Sequence, residues 1–410
     1  MGIFDKVLKI VKDSTGPKEK SAVAIDFGSS SVKVVQLRKE KGRAILETYG
    51  ELTCGPYAEL SVGQATSLPA EKMLELLRDL FREANVTAKV GAMAIPLRNS
   101  LLVSVEMPEM EESKLAEMVP IEARKYVPLP ISEVILDWRL MPKSSLDERE
   151  PALESADSRN RKKSYGNKVE ILIASIQKDI VRLYQDIAQK LGLVSDVFEI
   201  ETFSSIRSVM PNDLSATVIL DIGAGTSKIA IVDYGLVRLS HTIVKGSQDV
   251  TIAIAKSLSV PFAKAEEIKR KFGLLGDVDN GELLKSVSPT VEYIFAEAGK
   301  VMLQYQKEHK RAVDKIILIG GGAMMKGVGD VAREVIGLPV VMGAPFDKVE
   351  APVFLSNVLK ETGPEFAVAI GLAGNLLGFL LTLIFNQPPG PMLVLVVGLF
   401  TIVTYFKGRN

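Results

Sequence analysis

Two stretches of the chain repeat. Asp26-Phe27-Gly28-Ser29-Ser30-Ser31-Val32-Lys33 and Asp221-Ile222-Gly223-Ala224-Gly225-Thr226-Ser227-Lys228 align at an offset of 195 residues. Aspartate falls on aspartate, Gly28 on Gly223, Ser31 on Thr226 and Lys33 on Lys228. Each copy follows an apolar run, Val23–Ile25 in one and Thr217–Leu220 in the other, and each leads into a second apolar run. An apolar strand that turns sharply through small residues predicts a hairpin whose backbone N–H groups are free to face an anion. The aspartate at the strand end can hold Mg2+ through water or orient a nucleophile. One such turn is common and most often only structural. Two of them predict duplicated architecture, with facing hairpins that clamp a polyphosphate from both sides.

A third element supports that reading. Lys315–Ile319 is a mainly apolar strand that runs into Gly320-Gly321-Gly322 and then Ala323-Met324-Met325. Three glycines leave no side chain to block the approach of a base or ribose to the backbone. Around these motifs apolar strands alternate with helices of 3.6-residue period. Strands are predicted at Val90–Ile95, Val134–Leu140 and Val169–Ile176, and helices at Glu71–Glu83, Glu111–Arg124, Asp179–Leu191, Asp249–Leu258, Ala263–Phe272 and Pro289–Glu308. The alternation predicts an α/β protein.

Composition removes several function classes. Fifty basic and fifty acidic side chains sum to zero net charge, which argues against nucleic acid as a partner. Cys54 is the single cysteine, so neither an intrachain disulfide nor a thiolate metal cluster can form. The two histidines, His241 and His309, lie far apart and neither sits in a nucleophile motif. The zero also hides an asymmetry. From Phe366 to Asn410 there are 45 residues and two charges, Lys407 and Arg409, so the preceding 365 residues carry a net of −2. Residues 3–12 form a short basic amphipathic helix that suits an anionic lipid surface or the protein body equally, and Asp13–Ser21 is a linker. Lys143–Lys168 has 12 charges in 26 residues and reads as a polar loop.

The two Asp-x-Gly hairpins followed by the triple glycine resemble the actin-like ATPase superfamily. The resemblance implies a duplicated, ribonuclease H-like fold of two lobes, with ATP and Mg2+ in the cleft. Asp26, Gly28, Ser29, Ser30 and Lys33 would form the first phosphate loop, and Asp221, Gly223, Gly225 and Thr226 the second. Gly320, Gly321, Gly322 and Met325 would form the adenosine loop. Ala265-Glu266-Glu267-Ile268-Lys269 is similar to the superfamily's helix beside the adenosine, where Glu266 would reach the ribose and Lys269 the base. Asp26 and Asp221 would hold Mg2+ through water. Glu201, just before the second half, would position the attacking water, with Glu199 as the runner-up.

Further motifs narrow the resemblance. Ala94-Ile95-Pro96, Glu106-Met107-Pro108, Pro120-Ile121-Glu122-Ala123-Arg124-Lys125-Tyr126-Val127-Pro128 and Glu133-Val134-Ile135-Leu136-Asp137 resemble the PilM family of type IV pilus assembly proteins, relatives of the FtsA cell-division family. The resemblance runs from about Ser21 to Leu372. It implies a first lobe over residues 21–213 with a small α+β insertion at about 97–193, and a second lobe over 214–373 whose closing helix returns to the first. It also implies a scaffold at the cytoplasmic face of the inner membrane that works with other pilus platform and motor components. Such a scaffold binds the N-terminal peptide of a PilN-like membrane protein, in a groove where the insertion meets the first lobe. ATP binding is the expectation, and slow hydrolysis is left open. An FtsA-like tethered filament and a small-molecule kinase are the alternatives, the latter without a kinase signature in the first lobe.

Residues 374–410 depart from that family. Ala367–Phe385 holds 19 uncharged residues, near the ~20 that span a bilayer, and Met392–Phe406 holds 15. The break at Pro388-Pro389-Gly390-Pro391 predicts a hydrophobic hairpin that contacts the membrane, with Lys407 and Arg409 on the cytoplasmic side. If Phe366–Ala373 packs on the body, the first arm is too short to span and a re-entrant or interfacial hairpin is expected; a hydrophobic tail buried on the body or in a dimer is the alternative.

Overall fold

The computed structural model describes residues 21–141, 168–211, 214–275, 281–385 and 402–403. The sequence-based readings of residues 3–12, of the loop at 143–167 and of the Pro-Gly break lie outside them. The chain opens with β1 (Ser21–Phe27), β2 (Ser31–Glu40) and β3 (Arg43–Thr53), then α1 (Ala70–Glu83) and β4 (Val90–Ile95). Next come β5 (Ser100–Pro108), α2 (Glu112–Ala123), β6 (Val134–Leu140) and β7 (Lys168–Gln177). Then follow α3 (Lys178–Lys190), β8 (Val194–Ile200) and α4 (Glu201–Val209). The second half holds β9 (Thr217–Ile222), β10 (Ser227–Asp233), β11 (Leu236–Ile243), α5 (Ser247–Leu258), α6 (Phe262–Phe272) and α7 (Gly281–His309). It closes with β12 (Lys315–Ile319), α8 (Val328–Ile336), β13 (Val340–Met342), α9 (Ser356–Thr362), α10 (Ala367–Phe385) and β14 (Ile402–Val403).

Two compact units result. One is Leu97–Val181, where β5, β7 and β6 form a three-stranded antiparallel sheet. Its core sets Val105, Val169, Ile171 and Ile173 against Leu115 and Val119 of α2. The other unit comprises residues up to Pro96 and from Arg182 onward. It contains a sheet ordered β14-β8-β4-β1-β2-β3 and a sheet ordered β11-β10-β9-β12-β13. In both sheets a hairpin, β1–β2 or β9–β10, is flanked by a parallel strand, β4 or β12. The repeat read from the sequence is thus a repeat of sheet topology. β1 is buried on both faces after Ser21 and carries a continuous apolar run, as central strands covered by helices do.

α10 belongs to the first of these sheets. Val368, Ile370, Leu372, Leu376 and Leu377 share a buried cluster with Ala22, Val35, Leu37 and Ala92. The expected hydrophobic hairpin is corrected at the start of its first arm: Leu376 and Leu377 are core residues, 2% and 6% exposed. Asn375, a polar residue in an apolar helix, donates to Glu199 inside the body. Among the described residues no helix is long and apolar enough to cross a membrane. Of the second predicted arm, Ile402–Val403 pairs antiparallel with Val197–Phe198 at the sheet edge, and the rest lies outside the described residues.

Candidate functional site

The two repeat turns share one steric constraint. A Cβ on Gly28 would stand 2.6 Å from the Ser31 carbonyl oxygen, and one on Gly223 would stand 2.8 Å from that of Thr226. Each turn therefore folds back on itself so tightly that only glycine fits. In each hairpin the aspartate pairs across the strands with the lysine, Asp26 with Lys33 and Asp221 with Lys228.

The turns face each other. The nearest atoms to a Cβ on Gly225 would be Ala65 Cβ at 3.2 Å and Ser29 Oγ at 3.6 Å. Thr226 lies in the same turn, and Ser30 accepts at its carbonyl from the Cys54 amide at 2.8 Å. Behind the second turn, Gly320 adopts φ +85°, and a Cβ there would fall 2.2 Å from Asp221 Oδ1. Gly320 and Gly322 are thus required by packing on the second hairpin. Gly321 is exposed, with only Glu365 Oε2 near it at 3.8 Å. The Met325 side chain lies in the second-lobe core, away from the cleft.

The acidic candidates converge. Burial pushes the Asp26 carboxyl up to about 7, against the pull of Lys33 and Lys228 and with Glu201 and Asp221 adding to the rise. Lys228 Nζ donates to Glu201 Oε2 at 2.8 Å and reaches Asp221 Oδ2 at 3.4 Å. Burial disfavours the charge on Lys228, but these two carboxylates outweigh it and hold the amine protonated. The equivalent lysine of the first hairpin turns elsewhere: Lys33 Nζ pairs with Glu51 Oε1 at 2.9 Å and donates to Ser31 Oγ at 2.8 Å.

Glu199 is not at the centre. It is fully buried, paired with Arg207 and bonded by Ser204 and Asn375. Its neighbour Glu201 heads α4, whose rear packs against α10 through Arg207 and the Gly371 carbonyl at 2.7 Å.

The adenosine candidates Glu266 and Lys269 are brought together but are already engaged. Glu266 accepts from Thr251 Oγ1, Lys269 Nζ and Arg270 Nε at 2.7 to 2.8 Å. Burial would raise its carboxyl, but Lys269 and the hydrogen bonds hold it below the usual range. Gly63, at φ +84°, lies directly on it, with a would-be Cβ 2.5 Å from Glu266 Cδ. The same first-lobe loop continues across the cleft. The Ala65 amide donates to Gln248 Oε1 at 3.0 Å, and the Thr66 amide to the Ser29 carbonyl at 2.8 Å. Sequence reading did not single out this loop, Gln248 or the role of Lys228. Lys228 was visible as the partner of Lys33 in the repeat, whereas the loop has no motif.

The turn chemistry fits a nucleoside polyphosphate, with two small-residue turns face to face beside a lysine and a glycine-lined edge. Entry of a phosphate chain would have to separate Ser29 from Gly225 and lift Gly63 from Glu266. The expected hydrated Mg2+ on Asp26 and Asp221 meets an ammonium already in place at Asp221. Among the described residues no group of three or more His, Cys, Asp or Glu side chains is arranged to hold a metal ion.

Comparison with known proteins identifies the family. The solved structure of a PilM–PilN type IV pilus biogenesis complex matches with a TM-score of 0.68 at 23% identity, over 86% of this chain and 97% of that one. The ethanolamine utilization protein EutJ from Carboxydothermus hydrogenoformans matches at 0.50 and 14% identity, over 90% of this chain and 97% of that one. These likenesses show the actin-like fold. Among curated relatives, the cell division protein FtsA of Neisseria meningitidis is 29% identical over 218 residues, 47% of this chain and 50% of its own length. FtsA of Pseudomonas aeruginosa is 28% identical over 198 residues, 42% and 48% of the two chains. The chain thus spans about half the length of the curated relatives it matches. A family model described as type IV pilus assembly protein PilM matches residues 24–375. With the duplicated hairpin sheets inside that span, the chain belongs to the PilM family of type IV pilus assembly proteins.

Proposed function

We propose that this chain is a nucleotide-binding scaffold of a type IV pilus inner-membrane platform, working at the cytoplasmic face. In this reading it binds the cytoplasmic N-terminal peptide of a PilN-like membrane protein. The observation that carries it is the family match across residues 24–375, which includes both hairpins and the triple glycine. A solved relative is a PilM–PilN complex, and that pairing motivates the partner. ATP would sit between the turns, held by the backbone of residues 28–30 and 223–226 and by the exposed edge at Gly321. It supplies binding energy for one lobe arrangement over another, and so sets the shape presented to the partner.

The direct test is capture of a synthetic PilN-like N-terminal peptide by the full chain, with and without ATP. Binding in at least one state is expected, and no binding in either removes the pilus role. FtsA-like filament formation is the second reading, favoured by the 29% identity to a cell division protein. Sedimentation with ATP decides it, since a scaffold stays in the supernatant. Membrane association would come through the partner and through residues 386–410. Liposome flotation of the full chain against a chain ending at Phe385 tests that second contact, and equal flotation excludes it.

A further inference from the structure

The candidate catalytic carboxylates already share a cation, and the chain supplies it. Lys228 projects from β10 opposite Asp221 and reaches back to Glu201 at the head of α4, with Nζ at 2.8 Å from Glu201 Oε2 and 3.4 Å from Asp221 Oδ2. We propose that Lys228 is a built-in counter-ion that takes the place of a divalent metal, so that the cleft binds a nucleoside triphosphate without metal and leaves it intact. This rests on the nucleotide reading above and adds the cation requirement and the fate of the nucleotide.

Three observations carry it. First, of the two carboxylates that would anchor a hydrated cation, Asp221 already has an ammonium at 3.4 Å, held there by Glu201 at 2.8 Å, and a divalent ion would stand beside a like charge. Second, the space is small. In the closed cleft the space beside Glu201, Asp221, Lys228, Thr202 and Ser205 measures about 10 Å3, room for about one water. Third, the repeat shows that this placement is particular to the second hairpin. Lys33 occupies the equivalent register position but pairs with Glu51, and Asp26 keeps no such short ammonium contact among the ion pairs of the described residues. Glu201 Oε2, an oxygen that would take a proton from the attacking water, already accepts a hydrogen bond from Lys228 Nζ at 2.8 Å, so hydrolysis lacks that base.

Calorimetric titration of the full chain with ATP, in Mg2+ and in EDTA, tests the proposal. Wild type should bind in both, with dissociation constants within about threefold of each other. Lys228→Ala should bind about tenfold or more weakly in EDTA and recover in Mg2+, the loss of one charge-assisted contact. Because that variant leaves a buried carboxylate unpaired, Lys228→Met combined with Glu201→Gln serves as the second variant. It removes both charges and should show the same sensitivity to EDTA. Mg2+ alone should leave the melting temperature of wild type unchanged. If wild type binds ATP only with Mg2+, the lysine is no substitute and the proposal falls while the nucleotide reading stands. If wild type binds in neither buffer, both fall.

Discussion

Asp26 is where the two demands on this cleft meet. It closes a strand that must be buried to hold the sheet together, and in the proposed nucleotide reading it also faces an anion. Burial lifts its carboxyl from the ordinary 3.8 to about 7. Between those values the folded protein holds a proton that the unfolded chain has released, so metal-free stability falls as pH rises from about 4 to about 7 and then levels. Asp26→Asn removes the titration. It should be little changed at pH 4 and more stable than wild type at pH 8, by at most about 4 kcal/mol for a shift of this size. Urea unfolding at the two pH values in EDTA checks it, and a variant less stable at pH 8 sinks the account. Asp26, Asp221 and the turn glycines were all readable from the sequence, because a short-range constraint demands them. The pairing of Lys228 with Glu201 was not readable, because it joins β10 to α4 across 27 residues by a contact that no spacing encodes.

At the scale of elements, the hairpin strands and most helices followed from apolar period alone. β12 and β4 have the bounds the sequence predicts. The misreadings have physical causes. α7 begins at Gly281 rather than at Pro289, since a proline inside the helix reads as a helix start. β3, half exposed and broken by Gly50, shows little alternation. α10 was the hardest, because a helix apolar on every face looks the same in a bilayer as in a core. Its signals for a core were the two residues that a lipid face does not need, Gly371 and Asn375. Gly371 lets α10 meet α4 backbone to backbone: a Cβ there would fall 1.8 Å from the Ser204 carbonyl oxygen. Gly371→Ala must push the helices apart, and overpacking of that kind costs about 3 kcal/mol. Urea unfolding should show that loss, whereas Gly374→Ala, with nothing within 4 Å of its Cβ, should be neutral or slightly stabilising. Equal effects at the two positions would mean that α10 does not pack on α4 as described.

For the whole molecule the decisive feature is a cleft held shut by its own loop. Three contacts cross it: Gly63 on Glu266, the Ala65 amide on Gln248 Oε1 at 3.0 Å, and the close approach of Gly225 to Ser29. In the proposed nucleotide reading a phosphate chain between the turns would part Gly225 from Ser29 and strain the neighbouring loop contacts, so closure and nucleotide compete. A ligand that must first open a closed protein binds more weakly by the fraction of molecules that are open. Weakening the closed form alone should therefore raise affinity. Gln248→Ala removes a side-chain acceptor from the Ala65 amide and leaves the phosphate turns and the triple glycine intact. One hydrogen bond contributes about 0.5–1.5 kcal/mol, so ATP should bind about two- to tenfold more tightly to the variant than to wild type. In hydrogen exchange, the Ala65 amide should be protected in the free protein and lose protection when ATP binds. A variant that binds ATP more weakly would assign Gln248 to the nucleotide rather than to the closed state, and unchanged exchange at Ala65 would show that the loop stays in place.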